Sequence, residues 1–256
     1  TGVATIKDDG TGDLYTPGGT KDPAAQKDDD RLLTVDSITV NEASPVAVFT
    51  VSGAAGQLVK LELQATTSPS GNATLGTDTK NPPDVAVPSS AATVALQYST
   101  NGGTTWVDYT PSTFVAMTGT SMLVRTGVVN DTTSEGAETF KLVATNTGGQ
   151  TNVLSAGNQG VGTINDQGQG TIFNNDGSTD TTTDKDDDRP LSINDVTVNE
   201  ASRTAVFTVS SATSVSGQKV KLELLTTGTG SGYAVLNTDT NNPPDATTPA
   251  NASTRN

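Results

Sequence analysis

Clustered carboxylates are the most reactive feature of this 256-residue chain, because neighbouring acids can bind a cation together. They form three runs: Asp8-Asp9, Asp28-Asp29-Asp30 and Asp186-Asp187-Asp188. Neighbouring carboxylates repel one another unless a cation lies among them, and Ca²⁺ is the hard cation that takes oxygen ligands in flexible geometry. The runs therefore indicate calcium sites. A solvated acidic linker would have the same sequence pattern, so this alternative stays open.

The residue types that are missing narrow the function further. The chain contains no His and no Cys, which excludes thiolate or imidazole zinc sites, disulfides and the common His-dependent nucleophiles. Its net charge of −14 would repel a phosphate backbone. No apolar stretch approaches the roughly 18 residues that span a bilayer. We expect no enzymatic activity, no nucleic-acid partner and no membrane span in this segment.

A near-verbatim repetition organises the chain. Lys27–Arg31 returns as Lys185–Arg189 and Val40–Ser44 returns as Val198–Ser202, each 158 residues later. Solenoid repeats are about 20–50 residues long, so this period corresponds to a whole domain with its linker. The second copy has no counterpart of residues 96–159. We expect the missing strands to come from further chain or from a neighbouring molecule.

The repetition and the composition together predict the domain organisation. Gly, Pro, Asp and Thr dominate the segments between the domains, as in linkers or long loops. The predicted parts are the last strand of a preceding repeat (1–9), an acidic linker (10–31), a complete repeat (32–167), a second acidic linker (168–189) and the incomplete first half of the next repeat (190–256).

Within the complete repeat, apolar and polar residues alternate over short runs. Ala47–Val51 and Val59–Leu63 each place their apolar residues on one face, as half-buried strands do. Asn101-Gly102 supplies the positive φ of a hairpin turn. No run of ten residues keeps helical spacing. The pattern predicts an all-β, immunoglobulin-like antiparallel β-sandwich of about eight strands.

Three segments, in order, resemble Calx-beta repeats. They are Val40–Ser44 followed by Ala47–Val51, the stretch from Val129 to Phe140, and Gly160–Asp166. The resemblance covers about residues 34–166 and recurs in 192–245. It implies a β-sandwich of a family that often binds Ca²⁺ and is common in giant bacterial surface adhesins. The closing acidic run of that family is here reduced to Asn165-Asp166-Gln167.

The predicted calcium ligands combine the acidic runs with the positions that the resemblance implies. The resemblance contributes Glu42, Asp131, Glu135, Glu138 and Asp166, and Glu200 is the repeat copy of Glu42. The complete predicted set is Asp8, Asp9, Asp28, Asp29, Asp30, Glu42, Asp131, Glu135, Glu138, Asp166, Asp186, Asp187, Asp188 and Glu200.

Two functions remain after these exclusions. The first is a structural or adhesive segment of a long extracellular surface protein or filament, stiffened by Ca²⁺, whose partners are neighbouring repeats or identical subunits that exchange strands in a fibre. The alternative is an extracellular carbohydrate-binding module that recognises surface glycans. Its candidate stacking residues are Tyr98, Trp106, Tyr109 and Tyr233.

Overall fold

A computed structural model describes residues 1–67, 71–83, 94–148, 158–212, 217–225, 234 and 240. The chain divides into two units, Thr1–Asp188 and Arg189–Asn256. Every regular element in the described ranges is a β-strand, and none of those ranges contains a helix long and apolar enough to cross a membrane. The all-β prediction is confirmed.

The described part of the first unit contains thirteen short β-strands. In chain order they are β1 (Thr34–Val35), β2 (Ile38–Asn41), β3 (Val46–Ser52), β4 (Leu58–Ala65), β5 (Thr79–Lys80), β6 (Gln97–Ser99), β7 (Val107–Asp108), β8 (Val115–Ala116), β9 (Ser121–Val128), β10 (Glu138–Thr145), β11 (Gln159–Asn165), β12 (Ile172–Phe173) and β13 (Thr179–Asp180). One sheet has the order β1-β3-β9-β6-β7, with β5 beside β9, and the other has the order β2-β11-β10-β4-β8.

The core lies between these two sheets. Phe49 of β3 and Phe140 of β10 are fully buried and meet edge to face, with ring centroids 5.7 Å apart, a favourable geometry for aromatic pairs. Gly162 of β11 lies under both rings, and a Cβ there would be 2.5 Å from the ring of Phe140. Ala47, Phe49 and Val51 of β3 are buried as predicted, but Val48 on the opposite face is buried too.

Among the strands that the structure describes, the sandwich has one parallel pair beside its antiparallel ladders. The chain pairs β1 with β3 in the first sheet, crosses at residues 36–37, and enters the second sheet as β2. There β2 runs parallel to β11, with Asn41 opposite Asn165. As a result the two strands end side by side, which an antiparallel pair would not allow.

The segment 168–189, predicted as a linker, is more ordered than its composition indicates. Its strands β12 and β13 form an antiparallel hairpin that packs on the sandwich. Ile172 is buried, the backbone N–H of Phe173 donates to Ser44 Oγ at 2.9 Å, and Arg125 donates to the carbonyl of Asn175. Composition misses this packing because only a few apolar residues carry it.

The segment 10–31 folds into a similar hairpin without that packing. Tyr15 and Lys21 form a β-bridge, at the positions that correspond to Phe173 and Thr179 of the β12–β13 ladder. Tyr15 is 62% exposed. Residues 1–8 contain no strand, and Val3 and Ile6 are exposed, so their assignment to a preceding repeat stays a prediction.

The second unit contains one hairpin in its described part. Strands β14 (Leu191–Ile193) and β15 (Val209–Ser211) pair antiparallel, in the register in which β1 pairs with β3. Val206 and Phe207 are exposed, whereas their first-unit counterparts Val48 and Phe49 are buried. The near-identical sequence therefore has two different environments in one chain.

Candidate metal centre

The ends of several strands bring carboxylates to one edge of the sandwich. Glu42 directly follows β2 and Asp166 directly follows the parallel strand β11. Glu138 opens β10, which is antiparallel to β11, so it lies at the same edge. Asp78 precedes β5, which pairs with the end of β9, and the β9–β10 loop connects the two sheets here.

Two groups of acidic side chains result. One oxygen each from Glu42, Asp166 and Asp188 lie within 4.8 Å of one another. In the second group, one oxygen each from Asp78, Glu135 and Glu138 also lie within 4.8 Å of one another. A shared cavity adjoins them, and its acidic lining residues are Glu42, Asp78, Asp131, Glu135, Glu138 and Asp166.

Backbone amides of the β9–β10 loop hold the first group in place. The N–H of Asp131 donates to Glu42 Oε1 at 3.0 Å, and the N–H of Glu135 donates to Asp166 Oδ2 at 2.5 Å. Asp166 is only 3% exposed, and its other oxygen, Oδ1, is buried with no hydrogen-bond partner in the described part of the chain. A buried unpaired carboxylate oxygen is costly, so it indicates a missing cationic partner.

The salt bridges of the described ranges that join Lys7 to Asp9, Lys21 to Asp13 and Arg31 to Asp29 do not include these carboxylates. The effect on proton affinity is large. Burial, and then repulsion from Asp131, raises the pKa of Glu42 to about 7. Burial, and then repulsion from Asp78, raises the pKa of Glu138 to about 7.

Three further acids at this edge also have raised pKa values. Burial is the first cause for each, and it raises the pKa of Glu135, Asp186 and Asp188. Repulsion from a neighbouring acid is the second: Asp78 for Glu135, Asp188 for Asp186, and Asp166 for Asp188. The arrangement disfavours its own ionisation unless a cation is present.

The donor set fits a hard divalent cation. It consists of carboxylate oxygens, without sulfur or imidazole, which favours Ca²⁺, Mg²⁺ or Mn²⁺ over zinc or copper. Ca²⁺ takes six to eight oxygens in flexible geometry, whereas Mg²⁺ demands a strict octahedron. Carboxylates contributed by separate strands and loops therefore suit Ca²⁺ better than Mg²⁺.

The structure gathers only part of the predicted ligand set. Asp28, Asp29 and Asp30 lie beyond the opposite end of β10, because the hydroxyl of Thr147 donates to the carbonyl of Lys27. An eight-residue strand is about 25 Å long, so these acids cannot share a cation with Glu42. Asp29 instead accepts from Arg31 Nε at 2.9 Å.

The other predicted ligands are placed as follows. Asp9 forms a β-bridge with Asp29, and Asp8 is exposed. Asp187 forms a β-bridge with Gln167, and Glu200 is exposed in the second unit. None of these four is in either carboxylate group of the described chain.

Sequence reasoning missed Asp78. This residue lies in a segment outside the Calx-beta-like motifs. The N–H of Thr74 donates to its Oδ2 at 2.5 Å, and the N–H of Val129 donates to its carbonyl at 3.0 Å. One signal was present in the sequence, because Thr77-Asp78-Thr79 recurs as Thr238-Asp239-Thr240 in the second copy.

The aromatic residues of the carbohydrate alternative form no exposed platform in the described ranges. Tyr109 is buried, and its hydroxyl donates to the carbonyl of Thr113 at 2.8 Å. Tyr98 packs against the core, and Arg125 covers the ring of Trp106 at 4.2 Å from its centroid. Tyr233 lies outside the described residues.

No known family matches the chain, and no curated protein matches it. Similar solved structures include calcium binding domain CBD12 of CALX1.1, at 13% identity and a TM-score of 0.30, covering 52% of this chain and 44% of that one. Another is the apo-form Calx CBD1 domain, at 14% identity and a TM-score of 0.30, where the match covers 52% of this chain and 96% of that one. A third is CBD12 from CALX1.2, at 13% identity and a TM-score of 0.32, where the match covers 64% of this chain and 48% of that one. The chain therefore spans less than half of the CBD12 structures.

Proposed function

We propose that the first unit is a calcium-binding structural β-sandwich, and that Ca²⁺ at its acidic edge stiffens a long extracellular surface protein or filament. The observation that carries this proposal is the buried Oδ1 of Asp166, which has no hydrogen-bond partner among the described residues and belongs to the side chain grouped with Glu42 and Asp188. These groups come from three places in the chain, so a single cation joins them into one rigid unit.

The proposed extracellular location predicts the calcium affinity. Calcium modules outside the cell typically bind at about 10⁻⁴–10⁻³ M, so millimolar calcium would fill the site and cytosolic calcium would not. The partners in this proposal are neighbouring repeats or identical subunits, with strand exchange between them in a fibre. The role in adhesion rests on the sequence repetition and on the Calx-beta-like motifs.

Calcium titration of the chain tests the proposal. At a concentration 100 times the Kd, binding adds about 2.7 kcal/mol to the free energy of unfolding, or roughly 5–10 °C in melting temperature for a domain of this size. Glu42→Gln should weaken calcium binding about 10-fold or more, because it removes a charged ligand.

The repeat supplies a matched control. Glu200→Gln makes the same change in the same local sequence, but Glu200 is exposed and outside both carboxylate groups. Its calcium affinity should equal that of the unmodified chain. No heat of calcium binding in isothermal titration, together with no calcium-dependent rise in melting temperature, would overturn the proposed function.

A further inference from the structure

The acidic run that precedes the second unit folds back onto the edge of the sandwich. The side chain of Asn41, at the end of β2, holds it there: Oδ1 accepts from the N–H of Asp186 at 2.7 Å, and Nδ2 donates to the carbonyl of Asp186 at 3.1 Å. The N–H of Asp188 donates to the carbonyl of Asp166 at 3.1 Å. The run is therefore positioned by neutral groups.

The side chains of this run are left with unpaired oxygens. Oδ2 of Asp186 and Oδ2 of Asp188 are buried and lack a hydrogen-bond partner in the described residues, as does Oδ1 of Asp166. Asp166 is more than nine-tenths buried, and Asp188 shares the 4.8 Å group with Glu42. Asp188 thus lies among the acids of the sandwich, and Asp186 lies close enough to repel the charge of Glu42.

The first copy of the run provides an internal comparison. It repeats the same backbone bonds, from the N–H of Gly10 to the carbonyl of Asp28 at 2.9 Å and from the N–H of Asp30 to the carbonyl of Asp8 at 3.0 Å. Yet Asp8, Asp28 and Asp30 are exposed, and the described chain gathers no carboxylate group around them. The local fold alone therefore does not make the site.

We propose that Asp186 and Asp188 complete the cation site of the sandwich that precedes them, so that the bound cation locks the β12–β13 hairpin onto its edge. This inference rests on the proposed function, since it assigns ligands to the same calcium site. It makes the segment 168–188 a clasp. Its acids follow Asn165-Asp166-Gln167 by about twenty residues in the chain.

The test compares two double variants of the full chain by isothermal titration with CaCl₂. Asp186→Asn with Asp188→Asn should weaken calcium binding about 10-fold or more, because affinity follows the number of charged ligands. Asp28→Asn with Asp30→Asn removes the same charge from the first copy of the run and should change the calcium affinity by less than about twofold. Equal affinity for both variants, whether weakened or not, would overturn the clasp.

Hydrogen exchange gives a second readout that does not depend on the variants. In the unmodified chain, saturating Ca²⁺ should slow exchange of amides in 168–188 and leave those in 10–30 unchanged. Equal protection of both segments, or of neither, would contradict the clasp while calcium binding itself still supported the proposed function. Absence of calcium binding by the unmodified chain would instead overturn the proposed function.

Discussion

At the residue scale, the acidic edge shows how burial turns ordinary carboxylates into a cation site. Glu42 is 6% exposed and Asp166 is 3% exposed, which is rare for acids without a basic partner. One oxygen of each accepts a hydrogen bond from a backbone N–H of the β9–β10 loop. The other oxygens carry negative charge out of contact with solvent, and a bound divalent cation would offset the free-energy cost of burying that charge.

The raised pKa values predict how stability depends on pH without calcium. Glu42 and Glu138 have pKa values of about 7 in the folded state against an ordinary value of 4.5. Between these values the folded state binds protons that the unfolded state has lost, so the contribution of both groups to the free energy of unfolding falls as pH rises from about 5 to 7.5. Urea unfolding in calcium-free buffer, monitored by the fluorescence of Trp106 at each pH, measures this decline in the free energy of unfolding.

Two controls separate this effect from other titrations. Saturating Ca²⁺ should remove the decline, because the ionised carboxylates then have a partner. The double variant Glu42→Gln with Glu138→Gln should flatten it without calcium. Stability that stays constant or rises over this pH range in the unmodified chain would contradict the pKa shifts.

At the element scale, the parallel pair of β2 and β11 sets the position of the site. Both strands run toward the same edge, so the residues that follow them, Glu42 and Asp166, are brought together. The β12–β13 hairpin then adds a third component. It approaches so closely that Gly170, at φ +92°, would place a Cβ 2.4 Å from the carbonyl carbon of Val40.

Substitution of this glycine tests how the hairpin contributes. Gly170→Ala combines the cost of a positive φ, about 1–2 kcal/mol, with a clash against β2. It should detach the hairpin and weaken calcium binding. Trp106, the one tryptophan of the chain, packs near Gly177, so its emission should shift to longer wavelength.

The first copy again provides the control. Gly12 has nearly the same conformation, at φ +90°, but nothing lies within 4 Å of a Cβ there. Gly12→Ala should therefore cause only the backbone strain and leave tryptophan emission and calcium affinity unchanged. An equal effect of both substitutions on calcium affinity would show that the hairpin contact with β2 does not position the site.

At the scale of the whole molecule, the chain contains one well-packed unit and a second that repeats part of its sequence. Phe49 is 1% exposed and packs edge to face against Phe140. Phe207, its counterpart 158 residues later, is 49% exposed. Packing depends on the opposing sheet, and in the first unit its strands β10 and β11 place Phe140 and Gly162 against the ring of Phe49.

The same substitution at both positions measures this difference. Phe49→Ala should destabilise the first unit by about 3–5 kcal/mol, through lost burial and a cavity. Phe207→Ala should change stability by no more than about 0.5 kcal/mol, as an exposed position does. Calorimetric unfolding of the full chain checks both, and a loss at Phe207 equal to that at Phe49 would show a second packed core.

By itself, the sequence determined the all-β class, several strand positions and the chemistry of the acids. Alternation in Ala47–Val51 is local, and the choice of oxygen ligands follows from residue type. Several acids of the site, including Glu42 and Asp166, could be predicted because short motifs carry them. The repetition also identified the run Asp186 to Asp188 as a candidate.

Which acids lie close together depends on the tertiary fold. Asp28 to Asp30 and Asp186 to Asp188 are identical in sequence, yet only the second run packs on the edge that carries Glu42. Asp78 joins Glu135 and Glu138 through the pairing of β5 with β9. Such groupings come from long-range strand register and from burial, which bring together residues far apart in the chain, and a local pattern does not encode them.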